Sequence, residues 1–266
     1  LSLITQNARY SDLFEWQLYN ATNVGMGQNG DTYLYNNPLE VHHGVKQQGW
    51  YVVPCCPSNL SRTFAGLGKY IYSHDENNIW IHQYVSSETT VNAVKIKIES
   101  ELPWNGKMKI HVKPESQKEF TIHVRKPSWN IASQKETTTS GYDPRKAEYE
   151  SVTHVWSAAG ETLEYNFDIS IQLRRAHPKV QGHAGKVTVT RGPLVYCLES
   201  VDNPDVDIFT VQLDSSSLRD EFIPDLLGGC VVIHGKTTDG KPLKFIPYFL
   251  WANRGESQMT VWVNSK

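Results

Sequence analysis

The hydrophobic pattern of this 266-residue chain changes its period once, at about Tyr72. Beyond that residue, apolar and polar side chains alternate with period two, which is the pattern of strands that bury one face. The alternating segments are residues 79–85, 93–98, 107–112, 120–125, 163–167 and 169–173. The sequence therefore predicts a mainly β protein, with antiparallel β-sandwich structure after residue 72 and helices confined to the first quarter.

The first 72 residues carry helical signals instead. A first helix is predicted to start at Ser11 as N-cap and to end near Gly25, with an apolar stripe formed by Leu13, Phe14, Trp16, Leu18 and Ala21. A second helix is predicted from apolar residues spaced by four, three and four positions, namely Leu60, Phe64, Leu67 and Ile71. Ser58 or Asn59 is its expected N-cap.

These patterns divide the chain into three expected parts. Residues 1–72 form the helical part, residues 73–176 a β-sandwich domain, and residues 177–266 a second β domain. Residues 131–150 are polar and predict a loop or weak hairpin. Residues 203–230 predict another loop, which interrupts the last β segment.

Composition excludes several classes of partner. The net charge of −2 gives no electrostatic basis for binding nucleic acid or an anionic membrane. No apolar run approaches the roughly 20 residues of a membrane span. The chain opens without a basic leader, and its four cysteines are too few for a disulfide framework. These features predict a reducing, cytoplasmic compartment.

The most informative chemical feature is the vicinal pair Cys55–Cys56, which Pro54 and Pro57 flank. Adjacent cysteines rarely form a disulfide, because the ring they would close is strained. Two thiolates from one point of the chain are good ligands for zinc, and a helix N-terminus lowers a thiol pKa. The alternative is that both are small buried residues in a tight turn.

Histidines offer weaker candidates. His42 and His43 lie on a polar segment shortly before the cysteine pair, where they either line a sugar or metal site or are simply solvated. His82, His111 and His123 alternate with apolar residues inside predicted strands. That alternation predicts that these three lie on an exposed sheet face rather than in a ligand cluster.

The window from Trp50 to Arg62 reads W-x4-C-C-P-x-N-x-x-R and resembles the signature of glycoside hydrolase family 127, typified by bacterial β-L-arabinofuranosidases. Four further segments resemble family motifs in the same order, at residues 35–39, 102–106, 191–197 and 251–254. The resemblance implies an (α/α)6 barrel followed by β-sandwiches. Residues 1–72 would then be the terminal helices of the barrel, whose first helices are missing here.

The resemblance also implies a chemistry. Members are retaining glycosidases with a cysteine nucleophile near a zinc ion, and by motif Cys55 matches the nucleophile and Cys56 the neighbouring zinc ligand. Tyr35 matches a tyrosine that hydrogen-bonds the sugar, and the family also has a histidine pair near His42 and His43. The remaining zinc ligands, in an E-x-C motif, and the acid/base glutamate lie upstream in the family, and no E-x-C occurs in this chain.

Two functions are therefore compared. The first is the C-terminal part of a zinc-dependent β-L-arabinofuranosidase that acts on an oligosaccharide or glycoside. It is expected to be inactive without the missing N-terminal half or a homodimer partner that completes the site. The second is a non-catalytic β-sandwich module for carbohydrate binding or protein contact, in which the cysteine pair is a relic. Zinc stoichiometry distinguishes them, because the module needs no metal.

Overall fold

The computed structural model describes residues 1–130, 138–140 and 142–265, with backbone alone at 138–140. Its α-helices are α1 (Ser2–Thr5), α2 (Ala8–Gln17) and α3 (Cys55–Ala65). A π-helical turn, Leu18–Thr22, and a 3-10 turn, Asn23–Gly25, continue α2. Further 3-10 turns occupy Leu67–Tyr70, Pro144–Lys146, Gln181–His183, Ser200–Asp202 and Tyr248–Leu250. Within the described residues no α-helix follows Ala65, so the predicted confinement of helices to the first quarter is confirmed.

Strands make up most of the rest. In chain order they are β1 (Glu40–Val45), β2 (Tyr72–His74), β3 (Asn78–Ile81), β4 (Ser87–Val91), β5 (Val94–Ser100), β6 (Lys107–Pro114), β7 (Lys118–Lys126), β8 (Thr138–Ser140), β9 (Glu148–Trp156), β10 (Glu161–Asn166), β11 (Ile171–Arg175), β12 (Lys186–Arg191), β13 (Leu194–Glu199), β14 (Gln212–Ile223), β15 (Cys230–Thr237), β16 (Pro242–Pro247), β17 (Ser257–Thr260) and β18 (Val263–Ser265). The protein is mainly β, as predicted. Among the described helices none is long and apolar enough to cross a membrane.

The chain forms two compact units. The first unit comprises residues 1–15, 63–130 and 143–169, and the second comprises residues 16–62, 138–140, 142 and 170–265. Each unit is therefore assembled from segments that are distant in the sequence.

The first unit contains two four-stranded sheets, in the orders β10-β6-β5-β4 and β2-β3-β7-β9. Both sheets contribute to one hydrophobic core, because β5 and β6 alternate buried and exposed residues, while β3 and β7 add Ile79, Ile81, Ile122 and Val124. The two sheets thus share one core, and the period-two alternation of β5 and β6 gives these strands their buried face. The antiparallel expectation fails here for β3 and β7, which run parallel, and it fails in the second unit for the pairs β8–β11 and β14–β18. The chain between β3 and β7 forms β4, β5 and β6 of the other sheet. This connection is long enough for β7 to return in the same direction as β3.

Helix α2 presents polar side chains to the core of the first unit. Arg125 of β7 is buried there and donates to Asp12 Oδ1 at 2.7 Å and to Glu15 Oε1 at 2.6 Å. Buried charges require such pairing, because a lone ion in the interior is strongly destabilising. The helix starts at Ala8, where the Arg9 amide donates to Asn7 Oδ1 at 3.1 Å. The predicted N-cap at Ser11 is therefore wrong, because Asn7 provides the cap.

Ser11 is instead buried inside α2, with its hydroxyl 3.1 Å from Nδ1 of His82. His82 is only 1% exposed, so its predicted position on an exposed sheet face is wrong. The strand predicted over residues 79–85 ends at Ile81, because the amides of His82 and Gln83 both donate to the Ile71 carbonyl and break the ladder.

Several strands were not expected from the sequence, among them β1, β9 and β14. β9 begins inside the polar segment 131–150, and β14 lies inside the segment predicted as a loop over residues 203–230. β9 pairs with β7, and β14 pairs with β15. Most side chains of β9 and β14 are exposed or half-buried. Backbone hydrogen bonds to the neighbouring strands, rather than an alternation of apolar residues, therefore determine that these segments are strands. Residues 131–137 and 141 of the predicted loop lie outside the described residues.

The second unit is one ten-stranded sheet in the order β1-β17-β13-β16-β15-β14-β18-β12-β11-β8. An additional pairing between β12 and β13 closes part of this sheet on itself. The β12–β13 turn holds Gly192 at φ 53° before Pro193, a left-handed conformation that glycine adopts without strain. β1 at the sheet edge, the loop before it and the N-terminal end of α3 carry the candidate site residues.

Candidate functional site

The two adjacent cysteines lie in the first turn of α3. Both are free thiols, with their Sγ atoms 3.8 Å apart, and Cys55 is exposed while Cys56 is half-buried. The helix begins at Cys55, so the predicted N-cap at Ser58 or Asn59 is wrong. Pro57 fits within a first helical turn because an amide there has no intrahelical acceptor. Both thiols therefore stand at the positive end of the helix dipole.

Tyr35 provides the closest polar contact to the exposed thiol. Its hydroxyl lies 3.2 Å from Cys55 Sγ. The pKa of Cys55 is lowered, first by this hydrogen bond and next by the Cys56 thiol. The same contacts raise the pKa of Tyr35 to about 12, with Cys55 the larger cause. Tyr35 therefore acts as the donor, and Cys55 is the group that ionises. A thiolate of this kind is both a nucleophile and a ligand for a borderline metal.

A groove of about 570 Å³ lies along β1 and the loop before it, and Tyr35 is part of its wall. His42 and His43 both line this groove. The His42 ring stacks on Phe209 with 4.0 Å between centroids, which fixes its orientation. His43 is exposed. The structure thus brings Tyr35 and both histidines to one groove, and joins Tyr35 to Cys55.

Glu40 lies in the same groove and accepts a hydrogen bond from His42 Nε2 at 2.6 Å. Burial raises the pKa of Glu40, but the hydrogen bond from His42 and the nearby Lys186 lower it overall. Glu40 is thus an ionised partner of His42 rather than a protonated acid.

The described residues contain no group of three or more His, Cys, Asp or Glu side chains that could hold a metal ion. Cys55 and Cys56 fit zinc in ligand type and in their closeness. They supply two of the four ligands that a tetrahedral zinc site uses. The donor set in this part of the chain is therefore suitable in kind and incomplete in number.

The sequence did not single out Tyr51, whose hydroxyl lies between Tyr33 and Tyr35. Its position directly after Trp50, inside the Trp50–Arg62 window, was the available signal. The near-terminal segment around Arg254 has a structural role instead. Arg254 donates to the buried Glu199 at 2.6 Å and also pairs with Asp202.

Profiles of one family match consecutive parts of the chain. The profile described as the GH127 catalytic domain of β-L-arabinofuranosidase matches residues 1–69. The GH127 middle domain profile matches residues 78–169, and the glycoside hydrolase family 127 C-terminal domain profile matches residues 171–264.

Individual proteins agree with the profiles. A non-reducing end β-L-arabinofuranosidase of Bifidobacterium longum subsp. longum is 30% identical over 95% of this chain and 45% of its own length. The crystal structure of a GH127 β-L-arabinofuranosidase from Geobacillus stearothermophilus T6 superposes with a TM-score of 0.81 at 32% identity, over 99% of this chain and 47% of that one. The structure of another GH127 β-arabinofuranosidase superposes with a TM-score of 0.82 at 28% identity, over 100% of this chain and 47% of that one. The chain thus spans about half the length of the relatives it matches.

Proposed function

This chain belongs to glycoside hydrolase family 127, and we propose that it is the C-terminal part of a retaining β-L-arabinofuranosidase whose nucleophile is Cys55. The observation that carries the proposal is the contact between the Tyr35 hydroxyl and the exposed Cys55 thiol at the start of α3. That contact favours a thiolate at a solvent-accessible position, which a nucleophile requires.

In this mechanism the Cys55 thiolate attacks the anomeric carbon and forms a thioglycosyl bond. The bond from that carbon to the leaving oxygen breaks, and a carboxylic acid gives that oxygen a proton. Water then opens the thioglycosyl bond, while the resulting carboxylate takes the proton of the water. Tyr35 donates to the sulfur or to the sugar, and the groove along β1, including His42 and His43, holds the substrate.

The acid/base is not assigned to this chain. Glu15 is enclosed in the core of the first unit, where it bonds to Arg125 and Trp129, and Glu40 is ionised beside His42. Residues 1–72 are proposed to be the terminal helices of an (α/α)6 barrel, since the catalytic-domain profile matches only residues 1–69 and the middle domain follows. The acid/base and the remaining metal ligands are then supplied by further polypeptide.

Zinc is the metal that this donor set suits, with Cys55 and Cys56 as two of its ligands. When bound, it would keep both thiols deprotonated near neutral pH. Cys56 has the additional part of holding the metal beside the nucleophile, since its Sγ lies 3.8 Å from that of Cys55.

The test compares the 266-residue chain with the full-length gene product in hydrolysis of an aryl β-L-arabinofuranoside, and measures zinc in both. We expect turnover by the full-length protein only, its loss in Cys55→Ala, and loss of zinc in Cys56→Ala. Ser61→Ala, on the same helix, is the matched control and should retain activity. Turnover by the short chain would contradict the division of the site. If neither form binds zinc or turns over substrate, the chain is instead the non-catalytic carbohydrate-binding or interaction module.

A further inference from the structure

Tyr51 uses its hydroxyl in two directions at once. The hydroxyl donates to the Tyr33 carbonyl at 3.1 Å and accepts the Tyr35 amide at 3.2 Å. A hydroxyl has one hydrogen to give, so the donor is committed to Tyr33 and a lone pair to Tyr35. Tyr51 therefore ties the backbone of Tyr35 to that of Tyr33.

Tyr33, to which the Tyr51 hydroxyl donates, is held rigidly. Tyr33 is buried, and its amide and carbonyl both pair with the backbone of Gln48, at 2.8 Å and 3.0 Å. Its ring also meets Trp50 edge-on, with 5.6 Å between centroids. Tyr35, by contrast, is 37% exposed, so fewer packing contacts hold it in place.

Tyr51 also packs against the ring of Tyr35, with 5.3 Å between centroids. The backbone and the ring of Tyr35 are thus both fixed by one neighbour, and its hydroxyl reaches Cys55 Sγ. A displacement of about 1 Å is enough to break a hydrogen bond of this length.

We propose that Tyr51 is a positioning residue for catalysis: it transmits the rigidity of the Tyr33–Gln48 pairing to Tyr35 and so holds the Tyr35 hydroxyl against the Cys55 sulfur. The inference rests on the proposed function in that Cys55 is the nucleophile. The role assigned to Tyr51 is to act through Tyr35 rather than on the reacting atoms themselves.

The test is a double-mutant cycle in the full-length protein with Tyr35→Phe, Tyr51→Phe and both together. Each single variant keeps its ring and loses one hydroxyl. We expect each single variant to lower kcat/KM about fivefold, the worth of one hydrogen bond. If Tyr51 acts through Tyr35, the double variant should be no worse than Tyr35→Phe, because no hydroxyl remains to be positioned. Tyr70→Phe, an exposed tyrosine whose ring stacks on Phe14, is the control and should leave kcat/KM unchanged.

A second readout does not depend on glycosidase activity. The rate at which iodoacetamide alkylates Cys55 in the 266-residue chain without added zinc, followed by mass spectrometry at one pH, reports how the Tyr35 contact changes the reactivity of this sulfur. We expect Tyr51→Phe and Tyr35→Phe to slow this reaction to the same extent, with no further effect in the double variant, and with unchanged melting temperatures. Alkylation at the wild-type rate in Tyr51→Phe, or additive effects of the two changes, would overturn the proposal.

The two possible failures can be told apart. If the wild-type enzyme is inactive, or if Cys55→Ala retains activity, the proposed function is wrong, and the alkylation cycle still decides whether Tyr51 positions Tyr35. If Cys55→Ala abolishes turnover but the Tyr35 and Tyr51 effects on kcat/KM simply add, the proposed function stands and the positioning role fails.

Discussion

Acidification should destabilise the first unit through His82. Burial and, as the smaller cause, the nearby Arg125 charge together lower the pKa of His82 from 6.5 to about 4. Both ring nitrogens are engaged, because Nδ1 lies 3.1 Å from Ser11 Oγ and Nε2 lies 2.7 Å from Ser73 Oγ. The folded state therefore keeps this imidazole neutral at pH values where the unfolded chain protonates it.

The sign of the change in the free energy of unfolding with pH follows from proton binding. Between pH 6.5 and pH 4 the unfolded state binds one more proton at this site than the folded state, so the free energy of unfolding falls as the pH falls. The contribution of His82 is complete above pH 6.5 and is lost progressively down to about pH 4. A shift of this size corresponds to about 3 kcal/mol in total, of which about 2 kcal/mol is lost between pH 7.5 and pH 5.0.

The assay is urea denaturation at pH 7.5 and pH 5.0 for the wild type, His82→Gln and His74→Gln. His82→Gln removes the titrating ring, so its free energy of unfolding should fall by about 2 kcal/mol less than that of the wild type over this interval. His74 is an exposed residue at the end of β2, and its replacement should preserve the wild-type pH dependence. An equal fall in His82→Gln and the wild type would refute the reasoning, since the acid sensitivity would then come from other groups.

Strands with strict alternation could be predicted from the sequence, and strands without it could not. β5 places Val94, Ile96 and Ile98 on its buried face, and its residues alternate accordingly. β14 runs through the polar stretch of Ser215, Ser216 and Ser217 and was expected to be a loop. Its pairing with β15 is set by backbone hydrogen bonds across the sheet, which leave little trace in side-chain polarity.

Helix starts were misjudged for a related reason. Ser11 and Ser58 are good cap residues in isolation, yet both lie inside helices. Ser58 Oγ donates back to the Pro54 carbonyl at 2.6 Å, a bond that a serine inside a helix can make. Several residues can cap a helix, so side-chain type alone does not choose among nearby positions.

The candidate site shows a similar limit. The vicinal cysteines and Tyr35 were identified from their motifs, but their mutual contact spans twenty residues and depends on how the loop folds back toward α3. Tyr51 was missed because its importance lies in a hydroxyl between two backbone groups. No local pattern encodes such a contact, whereas ligand type and spacing are visible in the sequence itself.

Two further changes test the core of the first unit by urea denaturation. Arg125→Met leaves its two buried carboxylate partners without their cation and should cost about 3–5 kcal/mol. Arg145→Met removes an ion pair whose cation is exposed to solvent, and it should leave the free energy of unfolding nearly unchanged. Gly106→Ala should cost roughly 2 kcal/mol, because a Cβ at this buried position would overlap the Phe167 carbonyl, and backbone cannot yield as a side chain can. Gly68→Ala is its control, since a Cβ there meets nothing within 4 Å. If Gly106→Ala were as stable as Gly68→Ala, the close approach of the two backbones would not be a constraint on this fold.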